Sequence, residues 1–227
     1  MSTLFIVATP IGNLDDFSYR SVQTLKSVDY IGVEDTRISR RLLEHYNIDK
    51  ELFTFHQHNE HRKVQHLINI LNANQSVALI SDAGMPGISD PGFLAVREAH
   101  KQGHRVSVVP GPDAATTAIV ASGLPCDRYI YEGFLPPKKG RQKRIKLFID
   151  EERTVVLFES PHRLLKLIDE LNKHLNQQRM MAIGRELTKK FEEVIRGSVA
   201  EVSDIVRRRE EIKGEHVIVL AGCDYQD

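Results

Sequence analysis

Short apolar runs alternate along this chain with stretches whose apolar residues recur every three or four positions. In the first half, Leu4 to Ala8, Tyr30 to Glu34, Leu52 to Phe55 and Val77 to Ile80 read as strands. Tyr19, Val22, Leu25 and Val28 share one helical face, and Leu67, Ile68, Ile70 and Leu71 mark another helix. A helix from about Phe93 should stop at Gly103, before a strand over Arg105 to Val109. Pro110-Gly111-Pro112 is the clearest punctuation and sets the expected domain boundary, 1–112 and 113–227. The second half opens with a small-residue helix over Asp113 to Ser122, Asp113 being the candidate N-cap. Strands near Tyr129 to Gly133, Thr154 to Glu159, Met180 to Ile183 and His216 to Leu220 follow. Ser160-Pro161 starts a helix whose buried face is Leu164, Leu165, Leu167, Ile168 and Leu171. The alternation predicts an α/β protein with largely parallel pairing.

Composition narrows the function classes. The 227 residues are 41% hydrophobic and 27% charged, ordinary for a globular chain with a proper core. The formal net charge is zero, so any polyanion site must be a local patch. Two cysteines, Cys126 and Cys223, lie far apart with no CxxC spacing, which argues against a disulfide framework or a zinc site built from them. The N-terminal residues lack the pattern of a signal peptide, and no apolar run approaches bilayer length; a cytoplasmic protein without a membrane partner is expected.

The candidate chemistry sits where strands end. After Val77 to Ile80 comes Ser-Asp-Ala-Gly-Met-Pro-Gly-Ile-Ser-Asp-Pro-Gly, residues 81 to 92. Its glycines let backbone approach a ligand closely, its prolines stiffen the loop, and Asp82 and Asp90 add acceptors. A tight strand-to-helix turn with two capping aspartates is the plain alternative. The first strand ends in Thr9-Pro10-Ile11-Gly12-Asn13-Leu14, which is neither a dinucleotide fingerprint nor a phosphate loop. Glu34-Asp35-Thr36-Arg37 brings two carboxylates, a hydroxyl and a guanidinium to the edge where open α/β sheets bind ligands, although Asp35 or Thr36 could simply cap a helix. His56, His58, His61 and His66 invite a metal reading, but without an H-E-x-x-H motif a polar loop leading into a helix fits better; no metal is expected. Lys138, Lys139, Arg141, Lys143 and Arg144 put five cations into the nine residues 136–144, a density suited to phosphate neutralisation or to a solvated linker. Glu159-Ser-Pro-His-Arg163 and Arg185-Glu-Leu-Thr-Lys189 each place charge after a strand, either for function or as an ion-pair network tying the two segments together.

Taken in order, the segments Ala8 to Leu14, Glu34 to Arg37, Ser81 to Gly92, Pro110 to Pro112, Glu132-Gly-Phe-Leu-Pro136, Glu159 to Arg163 and Arg185 to Lys189 resemble the ribosomal RNA small subunit methyltransferase I family. That family is a branch of the tetrapyrrole-methylase-like (class III) S-adenosylmethionine methyltransferases. The resemblance spans nearly the whole chain. It implies two α/β domains of the tetrapyrrole methylase type with a cofactor cleft between them, commonly in a homodimer. It implies 2′-O-methylation of a cytidine ribose in the decoding region of 16S rRNA, with S-adenosyl-L-methionine as cofactor and 16S rRNA or the small ribosomal subunit as partner. By position, Asp82, Gly84, Met85, Pro86, Gly87 and Ile88 would line the cofactor, with Pro10, Pro112, Asp113, Ala114 and Leu135 completing the pocket. Met85 and Asp113 stand where Thr and Ser are expected, which removes a hydroxyl at each. Many relatives also continue into a helical tail beyond the point where this chain ends.

Methyl transfer from a sulfonium is an in-line displacement that rests chiefly on positioning. A ribose hydroxyl also needs a base or a cation beside the developing alkoxide. Glu159, Glu186 and Asp35 are the candidate bases or orienters, and Arg163, Arg185 and Lys189 the candidate cations, with His162 behind them. Arg37, Lys138, Lys139, Arg141, Lys143 and Arg144 are expected on RNA phosphates. A methyltransferase acting on a small molecule such as a tetrapyrrole, which would not need the cation cluster, and a non-catalytic RNA-binding assembly factor are the competing readings.

Overall fold

The structure is a computed structural model that describes residues 2–226. Residues up to Asp113 and from Ala114 onward form two compact units.

The first unit alternates strand and helix: β1 (Thr3–Val7), α1 (Tyr19–Ser27), β2 (Tyr30–Val33), α2 (Thr36–His45), β3 (Glu51–Thr54), α3 (Glu60–Asn72), β4 (Val77–Leu79), α4 (Phe93–Lys101) and β5 (Arg105–Val109). The strands pair in the order β3-β2-β4-β1-β5, every pair parallel. Parallel strands feed crossover helices, and these cover both faces. Leu4, Ile6, Phe53, Val77 and Leu79 pack with Leu67, Ile68, Ala95 and Ala99 on one side. Val7, Ile31, Val33 and Ala78 pack with Leu25 and Leu43 on the other. Helix starts follow local chemistry: the Ser18 hydroxyl accepts from Ser21 N–H before α1, and the Asp35 carboxylate accepts from Arg37 N–H before α2.

The second unit runs α5 (Ala114–Ser122), β6 (Tyr129–Phe134), α6 (Arg141–Leu147), β7 (Thr154–Glu159), α7 (Pro161–His174), β8 (Met180–Arg185), β9 (Glu193–Ser198), α8 (Val199–Arg207) and β10 (His216–Leu220). Its sheet order is β6-β7-β10-β8-β9. Only β6 and β7 pair in parallel; β7 with β10, β10 with β8, and β8 with β9 are antiparallel. The expectation of largely parallel pairing therefore fails in this half. Its cause is β9, which the sequence reading missed: β8 turns straight back into it, and a short turn can join only antiparallel strands. A capping box between Ser198 and Glu201 starts α8. Leu164, Leu167, Ile168 and Leu171 of α7 face the core with Ile145, Val202 and Ile218, whereas Leu165, expected on that face, is 41% exposed.

Candidate active site

Three loops of the first unit meet at the carboxyl edge of its sheet, because β4, β1 and β5 are neighbours there. Thr9 and Gly84 exchange two backbone hydrogen bonds, 2.9 and 3.1 Å. The Thr9 hydroxyl donates to Ser81 O at 3.1 Å, and the Ser81 hydroxyl donates to the carbonyls of Ala83 and Gly84, each at 3.2 Å. Gly84 holds φ +77°, and a Cβ there would meet Ile11 Cγ2 at 3.4 Å and Pro112 O at 3.9 Å. Main chain thus forms the wall at this point, with Pro10, Pro86 and Pro112 beside it. Met85 turns its side chain onto the core behind the wall, so the apolar residue anchors the loop from within. Ile88 is exposed.

Three carboxylates, Glu34, Asp82 and Asp90, act on one another at this edge. Glu34 closes β2; its Oε1 is buried and, among the described residues, finds no hydrogen bond. Burial and the charges of Asp90 and Asp82 push its pKa up to about 7. Burial and Asp82 raise Asp90 to about 6. Asp82, which accepts from Asp35 N–H at 3.2 Å, is also raised, by burial and then by Asp35. Asp90 does not cap α4 as one reading of the loop held. That helix starts at Gly92, and Glu60 Oε1 takes the N–H groups of Gly92 and Leu94 at 3.0 and 3.1 Å. Asp35 is a helix cap gripped by Arg37 at 2.6 Å; those hydrogen bonds hold its pKa near about 2, which disqualifies it as a base at neutral pH. Arg37 is itself that partner, with its side chain open to solvent.

The second unit settles its charges differently. Arg141, expected on RNA, is 2% exposed. It donates to Glu159 Oε2 at 3.1 Å and to Glu170 Oε2 at 2.6 Å, so it is a core ion-pair residue and unavailable to phosphate. Glu159, expected as a base, is 1% exposed and also meets Arg163 at 2.7 Å; paired twice and closed to solvent, it cannot take a substrate proton. Arg163 remains partly exposed. Lys138, Lys139 and Lys143 are exposed, as is Arg144, which reaches back to Glu132 at 2.9 Å. Leu135 buries its side chain in the core and leaves only main chain to a ligand; Ala114 is the first residue of α5. Arg185, Glu186 and Lys189 form a network, but with the 213–215 turn rather than with 159–163. Arg185 donates to Lys213 O at 2.8 Å, Lys189 meets Glu186 at 3.1 Å and Glu215 at 2.9 Å, and Glu186 accepts from Glu215 N–H at 3.0 Å. The Glu215 N–H and Lys189 lower the Glu186 pKa.

Residues 3–203 match the family profile described as Tetrapyrrole (Corrin/Porphyrin) Methylases. The sequence is 44% identical, over 99% of this chain and 79% of the relative, to the protein named Ribosomal RNA small subunit methyltransferase I in Escherichia coli O157:H7. It is 41% identical to the protein of that name in Thermotoga maritima, over 98% of this chain and 99% of the relative. The chain belongs to the tetrapyrrole methylase family, in its ribosomal RNA small subunit methyltransferase I branch. Solved structures share the fold: the methyltransferase CobJ superposes at TM-score 0.73 over 100% of this chain and 97% of that one, at 14% identity. The uroporphyrin-III-C-methyltransferase of Thermus thermophilus gives 0.68 over 97% and 94%, at 17% identity.

In this tetrapyrrole methylase two carboxylates gain a weight at this edge that the motif spacing does not give them. Glu34 was visible only as half of a Glu-Asp pair, and Glu60 only as a neighbour of histidines. Those histidines make no ligand set: His56 and His58 have ring centroids 6.1 Å apart, and the described residues hold no group of three or more His, Cys, Asp or Glu arranged for a metal. No helix among the described residues is long and apolar enough to cross a membrane.

Proposed function

We propose that this member of the family transfers the methyl group of S-adenosylmethionine to the ribose 2′-hydroxyl of a cytidine in the decoding region of 16S rRNA. The observation that carries the reading is the carboxyl edge of the first sheet, where a main-chain wall at Gly84 shares the edge with Glu34, Asp82 and Asp90, one Glu34 oxygen being buried without a partner among the described residues. That chemistry fits a ligand bearing an ammonium and a sulfonium. Asp82 would hold the ammonium, while Gly84, Pro86, Gly87 and Ile88 would form the wall, with Pro10 before them and Pro112 and Asp113 after them in the chain. The bound cofactor supplies an electrophilic methyl group on sulfur. The chain must then orient the ribose oxygen and accept its proton.

Glu34 replaces the earlier candidates as proton acceptor. Asp35 and Glu186 are held acidic by their partners, and Glu159 is sealed. A carboxyl whose pKa lies near 7 matches the proton affinity that general-base catalysis at neutral pH favours, and such a base contributes about 10²–10⁴-fold. The 185–189 network would hold the turn between β8 and β9 rather than carry out chemistry. Of the cations expected on RNA, the exposed Lys138, Lys139, Lys143, Arg144 and Arg37 would meet phosphates, with the partly exposed Arg163 as a further candidate. The names of the relatives support the RNA substrate.

The deciding measurement is a map of ribose methylation on 16S rRNA, free and in small subunits, after incubation with protein and S-adenosylmethionine. One new 2′-O-methylcytidine in the decoding region is expected. Methyl transfer only to a tetrapyrrole would overturn the reading in favour of a small-molecule enzyme. RNA binding without cofactor binding in calorimetry would make the chain an assembly factor.

A further inference from the structure

The edge strand β6 carries a β-bulge between Tyr131 and Gly133, with Gly133 at φ +66°. A bulge inserts one residue and re-aims those after it. Without it Gly133 would lie opposite Phe158; with it Phe134 does, on the same face as Tyr131. The ring centroids of Phe134 and Phe158 are 5.5 Å apart, and those of Tyr131 and Phe158 5.4 Å, both tilted towards edge-on. The next residue, Leu135, returns to the core. Phe134 is nonetheless 52% exposed, so the bulge delivers an aromatic ring to the surface and backs it with two more.

Cations meet the residues on either side of Phe134 in the chain. Glu132, the inserted residue, is bound by Arg144 of α6, which ties the basic helix to the bulged strand. Arg163 directs Nη1 to Leu135 O at 3.5 Å, beside the strand end. Exposed Lys138 and Lys139 follow four and five residues after Phe134. An open aromatic ring next to positive charge is how proteins hold an unpaired nucleobase with its phosphates: the ring stacks on the base, and the cations neutralise the backbone.

We propose that Phe134, backed by Phe158 and Tyr131, is a stacking platform for an unpaired base of the RNA substrate. This rests on the RNA-methylating reading and adds the element that captures a base splayed out of its helix. A self-association patch is the other use of an exposed phenylalanine; flanking cations favour a polyanion, because two copies would bring like charges together.

The test compares Phe134→Ala, Phe134→Leu and Phe134→Tyr with the unaltered chain. The probe is a single-stranded oligonucleotide of decoding-region sequence carrying 2-aminopurine. Loss of a stacking ring weakens binding about 5- to 100-fold. Ala and Leu should both show that loss together with loss of 2-aminopurine quenching, and Tyr should restore both. The salt slope should stay unchanged, since no phosphate contact is removed. S-adenosylmethionine affinity by calorimetry and thermal unfolding should match the unaltered chain, which separates stacking from misfolding. Unaltered affinity and quenching in the Ala and Leu variants, with the parent binding and methylating RNA, would overturn the platform alone. A change in oligomeric state without a change in RNA affinity would make it a self-association patch. Failure of the parent itself to bind RNA would overturn both readings.

Discussion

At the end of β7, Glu159 lies 1% exposed between the guanidinium groups of Arg141 and Arg163. Just after β2, Glu34 has one buried oxygen with no partner among the described residues; its carboxylate accepts from the Asp82 N–H, and the charges of Asp90 and Asp82 bear on it. Both glutamates follow an apolar strand, and both sit in segments of dense charge. Both oxygens of the first are met by guanidinium groups of the chain, although Nη2 of Arg141 beside it is buried without a partner among the described residues. The second carries an electrostatic cost that taking up a proton relieves. A half-buried carboxylate with one oxygen unpaired is costly to keep charged, and a raised proton affinity of this kind points to function.

The strongest way to break this contrast is Glu34→Gln. Methyl transfer should fall about 10²–10⁴-fold while S-adenosylmethionine affinity changes little. The same substitution should alter stability with a definite sign. The unfolded carboxyl titrates near 4.5 and the folded one near about 7, so between these values the folded chain holds the extra proton. Stability therefore falls as pH rises from 4.5 to about 7, and Gln should remove that loss, on the order of 1 kcal/mol at pH 8 after solvent screening. Urea titrations at pH 5 and 8 measure it; an unchanged pH dependence would show that Glu34 is relieved by a partner after all.

Arg141→Ala attacks the paired region. It strands Glu159 with Arg163 alone and should cost about 3 kcal/mol in denaturant unfolding, the lower end for breaking a buried pair. Affinity for S-adenosylmethionine should stay near that of the parent. Gly84→Ala puts a Cβ at φ +77° and should cost about 1–2 kcal/mol through left-handed strain, with cofactor affinity reduced roughly tenfold. Calorimetry beside thermal unfolding separates the two effects. The smallest change is expected from Glu186→Gln: less than about 1 kcal/mol, with turnover within about twofold, because it loosens a partly exposed pair. A large loss of turnover would return the 185–189 segment to the chemistry.

Periodicity and punctuation made the first unit readable almost throughout, because parallel strands buried on both faces leave continuous apolar runs. The second unit resisted at β9, where Glu193 and Arg196 break the run with charges that face solvent or pair with neighbours. Arg141 was misread for the opposite reason. It shares a helical face with Ile145 and Phe148, both buried, at i, i+4 and i+7. The density of cations around that face pointed instead to RNA phosphates. The loop at 81–92 was legible as a Gly/Pro-rich connection from strand to helix; the partner of α4 was not, since Glu60 lies thirty-two residues before Gly92 and only the fold brings them together. Pairing at that range leaves no local pattern.

Glu60 also has a kinetic meaning. Thr9 and Ser81 pin the entrance of the 81–92 loop, and the Glu60 carboxylate pins its exit at Gly92 and Leu94. A segment tethered at both ends has little ordering entropy left to lose when a ligand arrives. Its amides should exchange slowly with deuterium before any cofactor is added and change little afterwards. Association should then be set by encounter rather than by loop closure, and the residence time by the contacts alone.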